Sequence, residues 1–185
     1  MPAQRGRVTL QLHVELEWVT PAVWRRLLVP GETKLSKLHD VLQAAMGWTD
    51  SHLHCFEVGD QRFGAPDPDW DDEMRDERSV TLLDALGPTR QLIYKYDFGD
   101  SWRHRVVIED EITLRAALRS AVCLDGENAC PPEDCGGAPG YERLLESLAD
   151  PNDDEHDSML EWLGGTFDPT LFSLAAANIA IQLIR

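Results

Sequence analysis

Two short segments of the chain concentrate side chains that can bind a ligand or carry out chemistry. Tyr96–His104 contains two aspartates, a tryptophan and a histidine, and Cys130–Gly137 contains two cysteines and two carboxylates. Carboxylates and imidazoles exchange protons and bind metal ions, and a thiolate is a nucleophile. The candidate binding residues are therefore Tyr96, Asp97, Phe98, Asp100, Trp102, His104, Glu133 and Asp134.

A metal centre is one chemistry that such residues support. His52 and His54 stand two positions apart, so in an extended segment they lie on the same face. With Asp97 and Asp100 they would supply nitrogen and oxygen ligands to a metal-dependent hydrolase. We favour a structural role for both histidines, as side chains that partly cover a sheet, because nothing in the local sequence fixes the remaining ligands. We accordingly expect no cofactor, with a metal ion as the alternative.

A cysteine nucleophile is the second chemistry. Cys135 would pair with a histidine such as His156, and the turn at Gly136 could present backbone N–H groups as an oxyanion hole. The simpler interpretation is that prolines stiffen the loop and its glycines allow a positive φ. Cys123, Cys130 and Cys135 lack the C-x2-C pair typical of structural zinc sites, which favours free thiols and leaves their redox state open.

Strands predicted from alternating apolar residues position these segments. They cover residues 8–18, 23–29, 52–58, 92–96 and 102–108. The last two form a hairpin whose turn carries the aspartates. We expect His104 to be buried on this hairpin and to need a hydrogen-bond partner, which Asp97 or Asp100 would supply.

Helices are predicted from apolar residues spaced three and four apart, over 34–46, 80–86, 139–148, 153–163 and from 168 onward. Thr33, Ser79 and Asp168 are the expected N-cap residues. Residues 114–121 have helical propensity, and 59–79 are predicted to form an acidic loop.

This order of elements favours an α+β fold, with an antiparallel or mixed sheet from the N-terminal two-thirds, packed helices and a helical C-terminal third. We expect one domain over residues 1–185, with a strand-rich part at 1–110 and a helix-rich part at 111–185.

The composition excludes several classes of protein. Seventeen basic and 33 acidic residues give a net charge of −16, which disfavours binding to duplex nucleic acid. No apolar run reaches the roughly 18 residues of a membrane span, and the first residues show no signal peptide. We therefore expect a cytoplasmic protein without a membrane partner. The many aromatic residues in the motifs suit an unknown protein or peptide partner.

Short motifs in a specific order cover nearly the whole chain. They are Pro21–Arg26, Leu38–His39, Met46–Trp48, His52–Phe56, Tyr96–Trp102 with His104, Cys123–Gly126, Cys130–Gly137, Gly140–Tyr141, Trp162 and Phe167–Pro169. This order resembles the plasmid pRiA4b ORF-3-like family, also labelled a mobile-element passenger family. The chain departs from the family's pattern at Ala121, where a proline is usual. The resemblance implies an α+β fold of two packed subdomains and no settled activity.

Taken together, the residues and the resemblance favour a non-catalytic binding or accessory module associated with plasmids or mobile elements. The alternative is a metal- or cysteine-dependent hydrolase that uses the Asp97–His104 hairpin and the Cys130–Gly137 loop. The ligand and the oligomeric state are left open. Whether the two segments meet in space decides whether they form one site.

Overall fold

The computed structural model describes residues 8–66 and 74–184. Within these ranges the chain forms an eight-stranded mixed sheet and five helices, an α+β architecture. The strands are β1 (Val8–Leu16), β2 (Trp24–Pro30), β3 (His54–Val58), β4 (Gln61–Gly64), β5 (Arg75–Asp76), β6 (Gln91–Tyr96), β7 (Trp102–Thr113) and β8 (Val122–Glu127). The helices are α1 (Leu35–Met46), α2 (Leu82–Leu86), α3 (Gly137–Ala149), α4 (His156–Leu163) and α5 (Leu174–Leu183).

The sheet order is β5-β4-β3-β6-β7-β1-β2-β8. Neighbouring strands are antiparallel except β4 and β5, which are parallel. The predicted hairpin is β6–β7, and β3 pairs with β6 so that His54 lies opposite Tyr96. The start of β3 and the β6–β7 turn therefore lie side by side at one end of the sheet.

One face of the sheet carries the core. Leu12 and Val14 of β1 point to this face and pack with the apolar stripe of α1, which includes Leu38 and Leu42. Full burial of each such side chain stabilises the fold by about 2 kcal/mol. On the opposite face, side chains of the central strands form ion pairs, such as Arg26 of β2 with Glu109 of β7 at 2.6 Å. The predicted period-two pattern is thereby confirmed for the central strands.

The last helix covers the edge of the sheet at β8. Asn178 accepts a hydrogen bond from the Cys123 backbone N–H and donates one to the Cys123 carbonyl, both at 2.9 Å. The amide side chain thus takes the place of a neighbouring strand at an otherwise open edge. None of the helices in the described ranges is long and apolar enough to cross a membrane.

The helix starts differ from those predicted. Lys34 rather than Thr33 precedes α1 and forms no side-chain cap, and Thr81 rather than Ser79 caps α2. The last helix begins at Leu174 with Ser173 as its cap. Asp168 instead accepts hydrogen bonds from the Thr170 N–H at 2.9 Å and hydroxyl at 2.6 Å, because the same side chain caps a tight turn as readily as a helix.

Other predicted elements also change. No helix forms at 114–121, and residues 122–127, where the sequence pattern indicates no strand, form β8 through pairing with β2. Trp18 leaves the predicted strand with a φ of +65° and is 72% exposed. The predicted acidic loop contains β4 and β5, and residues 67–73 of that loop lie outside the described residues.

Candidate metal centre

The β6–β7 turn and the Cys130–Gly137 loop meet. Asp100 Oδ2 accepts a hydrogen bond of 3.0 Å from the Gly136 N–H. Gly137 has a φ of +69°, and a Cβ there would lie 2.5 Å from the Asp100 carbonyl oxygen, so only glycine fits this approach. The two candidate segments therefore form one site.

His52 lies at the centre of this site. Its Nε2 atom is 3.0 Å from Asp134 Oδ1, 3.6 Å from Asp97 Oδ2 and 3.6 Å from Glu133 Oε2. The atom is buried, yet none of these three contacts is a hydrogen bond. A buried ring nitrogen without a partner is costly in a folded protein.

The distances from His52 Nε2 to the three oxygens are close to the spacing of ligands around one cation, and His52, Asp97 and Asp134 offer ligand atoms within 4.8 Å of one another. Ligands about 2.1 Å from a metal lie about 3.0 Å apart in an octahedron and about 3.4 Å apart in a tetrahedron. None of the ion pairs among the described residues links Asp97, Glu133 or Asp134 to a lysine or arginine. A bound cation would give the nitrogen a partner and compensate the three carboxylates.

Asp97 is positioned by the hairpin turn. It adopts a φ of +55°, which aspartate tolerates better than most residues, and its N–H bonds to the Leu53 carbonyl. Its Oδ1 accepts hydrogen bonds from the N–H groups of Gly99 at 2.9 Å and Asp100 at 3.3 Å. This oxygen therefore caps the turn, and Oδ2 is left to face His52.

Glu133 is fixed by three groups. Its Oε1 accepts from the Thr49 N–H at 2.8 Å and the Thr49 hydroxyl at 3.1 Å, and the Tyr96 hydroxyl donates to Oε2 at 3.1 Å. Burial, with the Glu133 charge nearby, raises the pKa of Tyr96 to about 12, so this phenol remains a hydrogen-bond donor at neutral pH. Asp134 is 69% exposed and leaves one side of the site open to solvent.

His104 lies in the core rather than in the site. Its Nδ1 lies 3.2 Å from the Tyr94 carbonyl, and its buried Nε2 has no hydrogen-bond partner in the structure. Burial lowers the pKa of this imidazole to about 4. The predicted bond to Asp97 or Asp100 is therefore wrong, because the first binds turn amides and the second binds the Cys130–Gly137 loop.

The aromatic candidates divide between core and surface. Trp48, Tyr94, Tyr96 and Trp102 are buried and pack in the core, and part of Trp48 also lines a cavity beside Pro131 and Phe167. Phe98 at the tip of the hairpin is 39% exposed. The edge of the Tyr96 ring is what reaches the site, through its hydroxyl.

His54 does not join His52. Its Nε2 lies 2.9 Å from Glu77 Oε2, and its ring stacks on His39 with 3.5 Å between centroids. His39 in turn contacts Asp50 at 2.8 Å. Of the predicted metal set of His52, His54, Asp97 and Asp100, the structure brings only the first and third together.

The cysteine chemistry lacks its partner. Burial and the neighbouring Asp100 charge raise the pKa of Cys135 to about 12, so the side chain is a thiol rather than a thiolate at neutral pH. His156 Nδ1 bonds to the Ser147 carbonyl at 2.8 Å instead. All four cysteines are free.

Sequence reasoning missed the cluster that His39, Asp50 and Glu77 form with His54. They lie on α1, the loop after it and the turn after β5, and they are distant from one another in sequence. The local signal that existed was a histidine beside the apolar stripe of α1, which the structure shows to be buried. Its partners depend on strand pairing that no local pattern specifies.

The fold and the site define an α+β protein with a histidine–carboxylate centre. The chain belongs to the plasmid pRiA4b ORF-3-like family, whose model matches residues 8–176. It is 42% identical over 176 residues to the uncharacterised protein y4hQ of Sinorhizobium fredii (strain NBRC 101917 / NGR234), a match that covers 94% of this chain and 90% of that protein.

A solved structure shares this fold. The crystal structure of the protein of unknown function MM3350 from Methanosarcina mazei Go1 superposes with a TM-score of 0.83 at 33% identity. The match covers 91% of this chain and 96% of that one. Neither relative is described with an activity, so the role of the centre is argued from its geometry.

Proposed function

We propose that this protein is a binding module whose ligand is a divalent transition-metal cation held by His52, Asp97, Glu133 and Asp134. One observation carries the proposal: the buried His52 Nε2 atom has no hydrogen bond to any residue that the structure describes, yet three carboxylate oxygens lie 3.0–3.6 Å from it. A proton on this nitrogen satisfies one acceptor, whereas a cation accepts several ligands at once.

The ligand chemistry selects the class of cation. Calcium and magnesium prefer all-oxygen sites, whereas an imidazole nitrogen suits first-row transition metals. Three carboxylates beside one nitrogen favour Mn²⁺, with Zn²⁺ as a competitor. The net charge of −16 raises the local concentration of any such cation around the protein.

The test is a titration of EDTA-treated protein with MnCl₂, followed by calorimetry and by the EPR signal of free Mn²⁺. Wild type is expected to bind one Mn²⁺ per chain, and His52→Gln is expected to lose at least about 100-fold in affinity as a direct ligand is removed. His156→Gln is the matched control, because that histidine bonds to a helix carbonyl away from the site. Equal binding by wild type and His52→Gln would refute the proposal.

The exposed side of the centre supports a second candidate function, metal-dependent hydrolysis. Asp134 is 69% exposed, and a metal with an open position binds and activates water. The measurement is turnover of bis(p-nitrophenyl) phosphate and p-nitrophenyl acetate by Mn²⁺-loaded and Zn²⁺-loaded protein. Turnover that His52→Gln abolishes supports this function, and equal rates in both proteins exclude it.

An accessory role for plasmids or mobile elements is supported by the family's description alone. A protein or peptide partner, a cytoplasmic location and a single-domain organisation stay predictions.

A further inference from the structure

A second group of ligand-type side chains lies beside the His52 centre. It consists of His39 on α1, Asp50 on the following loop, His54 on β3 and Glu77 on the turn after β5. We infer that these four residues form a second cation site, of the kind that binds Zn²⁺. This inference concerns residues outside the His52 centre and stands or falls independently of it.

The four side chains already contact one another in two histidine–carboxylate pairs. His39 Nε2 lies 2.8 Å from Asp50 Oδ1, and His54 Nε2 lies 2.9 Å from Glu77 Oε2. One ligand atom each from His39, Asp50 and His54 lies within 4.8 Å of the others. Two nitrogens and two carboxylate oxygens are a ligand set that suits four-coordinate zinc.

Burial and charge favour a cation at this place. The side chains of His39, His54 and Glu77 are 5%, 12% and 8% exposed. The ion pairs among the described residues give neither Asp50 nor Glu77 a lysine or arginine. As metal ligands, two carboxylates and two imidazoles would carry a total charge of −2, which one Zn²⁺ balances in a mostly buried setting.

A second layer of hydrogen bonds orients the ligands. His39 Nδ1 shares a 2.7 Å hydrogen bond with the Tyr94 hydroxyl, which also accepts from Gln43 Nε2 at 2.9 Å. Gln43 Oε1 in turn accepts from the Asp50 N–H at 2.9 Å. Such outer contacts on the second ring nitrogen are a regular feature of histidine metal ligands.

Binding requires one local rearrangement. The rings of His39 and His54 are stacked within 6° of parallel, and their lone pairs lie in the ring planes, so the two nitrogens do not point at a common position. The rings must tilt for Zn²⁺ to bridge them. Loss of the stack is therefore a signature of binding at this site.

The two centres have separate ligands although they share one stretch of chain. The Cα atoms of His52 and His54 are at most about 7 Å apart, since they are two residues apart. His52 faces Asp97, Glu133 and Asp134, whereas His54 faces Glu77. A chain with both sites intact therefore binds two Zn²⁺ ions.

The experiment counts Zn²⁺ per chain in the full-length, EDTA-treated protein, by calorimetry and by elemental analysis after gel filtration. We expect two equivalents for wild type and one for His52→Gln. Asp50→Asn and Glu77→Gln are expected to weaken the second equivalent at least 10-fold and to leave the first unchanged. Asp50 is 58% exposed, so its substitution keeps the fold even if the buried Glu77 variant does not.

A second readout locates the metal. The histidine ring signals of ¹⁵N-labelled His52→Gln protein are expected to shift at His39 and His54 as Zn²⁺ is added. One equivalent in wild type that His52→Gln abolishes would overturn the second site while the His52 centre holds. Zn²⁺ bound by His52→Gln and lost in Asp50→Asn would support the second site, and unchanged binding in Asp50→Asn would refute the inference.

Discussion

The His52 centre and the second site, the His39–His54 pair with its partners Asp50 and Glu77, contain the same types of side chain. They differ in whether the histidine Nε2 atoms have a hydrogen-bond partner. In the pair, each Nε2 atom has one carboxylate partner at 2.8–2.9 Å. In the His52 centre, one buried Nε2 atom faces three carboxylates and bonds to none. One proton satisfies a histidine with one carboxylate, but not a histidine with three. The number of carboxylates around each nitrogen therefore distinguishes the two regions. The His52 centre is preformed for a cation, whereas the His39–His54 pair must rearrange to bind one.

The two regions also differ in how the backbone holds their ligands. The two histidines of the pair lie on α1 and β3. The carboxylates of the His52 centre lie on turns, with Asp97 and Asp134 at positive φ. A cation that joins these turns stabilises the folded state by mass action, by about 2.7 kcal/mol at a free concentration of 100 Kd.

The largest expected effect belongs to a histidine in neither region. His104 has a pKa of about 4 in the folded protein because it is buried, against about 6.5 when unfolded. As the pH falls, the unfolded chain binds a proton at His104 before the folded protein does. The contribution of His104 to the free energy of unfolding is therefore fully present above pH 6.5, and about 3 kcal/mol of it is lost as the pH drops to 4. Urea unfolding from pH 7.5 to 4 measures this loss.

The matched variant is His104→Gln, which removes the titration. Its free energy of unfolding is expected to fall less steeply over the same pH range than that of wild type. If the free energy of unfolding falls with pH equally in His104→Gln and in wild type, groups other than His104 cause the loss of stability in acid. This result also fixes the conditions for metal titrations, which belong above pH 7.

Asp97→Asn separates ligand binding from folding. The amide keeps an oxygen to accept from Gly99 and Asp100 but places an N–H₂ group toward His52. We expect Mn²⁺ affinity to fall about 100-fold, or about 2.7 kcal/mol, with little change in the melting temperature of the metal-free protein. Asp97→Ala is expected to lower both the Mn²⁺ affinity and the melting temperature of the metal-free protein. A large drop in the stability of Asp97→Asn with unchanged Mn²⁺ binding would make this carboxylate purely structural.

Two of the three buried tyrosines, Tyr94 and Tyr96, separate the two regions. Tyr94→Phe leaves His39 Nδ1 and Gln43 Nε2 without a partner and is expected to cost about 2 kcal/mol. Tyr96→Phe loses contacts to Ser51 and Glu133 near solvent and is expected to cost about 1 kcal/mol. Chemical denaturation measures both. Equal losses in the free energy of unfolding would show that the hydrogen bonds around the His39–His54 pair are no better shielded from solvent than those around the His52 centre.

The smallest effect is expected at Asp100, which joins the two segments without facing His52. Asp100→Ala removes the bond to the Gly136 N–H and is expected to cost about 1 kcal/mol of stability, with less than a 10-fold loss in Mn²⁺ affinity. Asp154→Ala, an exposed carboxylate elsewhere, is the control. A loss at Asp100 as large as that at Asp97 would extend the ligand set to this residue.

The central strands of the fold were predictable because one buried face imposes an alternation that the sequence displays openly, whereas β4, β5 and β8 at the two ends of the sheet were not predicted. Helix starts were less so: Asp168 caps a turn, and Ser173 caps the helix, by the same kind of hydrogen bond. The candidate segments contain the three carboxylates that lie near His52, and the alternative metal set included both His52 and Asp97. Their meeting with Glu133 depends on the approach of Gly137 to Asp100, a contact across 37 residues that no local pattern encodes.

The most direct test of the His52 centre is the anomalous scattering of Mn²⁺ in crystals soaked in MnCl₂. We predict a peak about 2.0–2.3 Å from His52 Nε2, with carboxylate oxygens of Asp97, Glu133 and Asp134 in the same coordination shell. No peak at His52, with a water molecule hydrogen-bonded to its Nε2 atom in its place, would contradict a metal centre there.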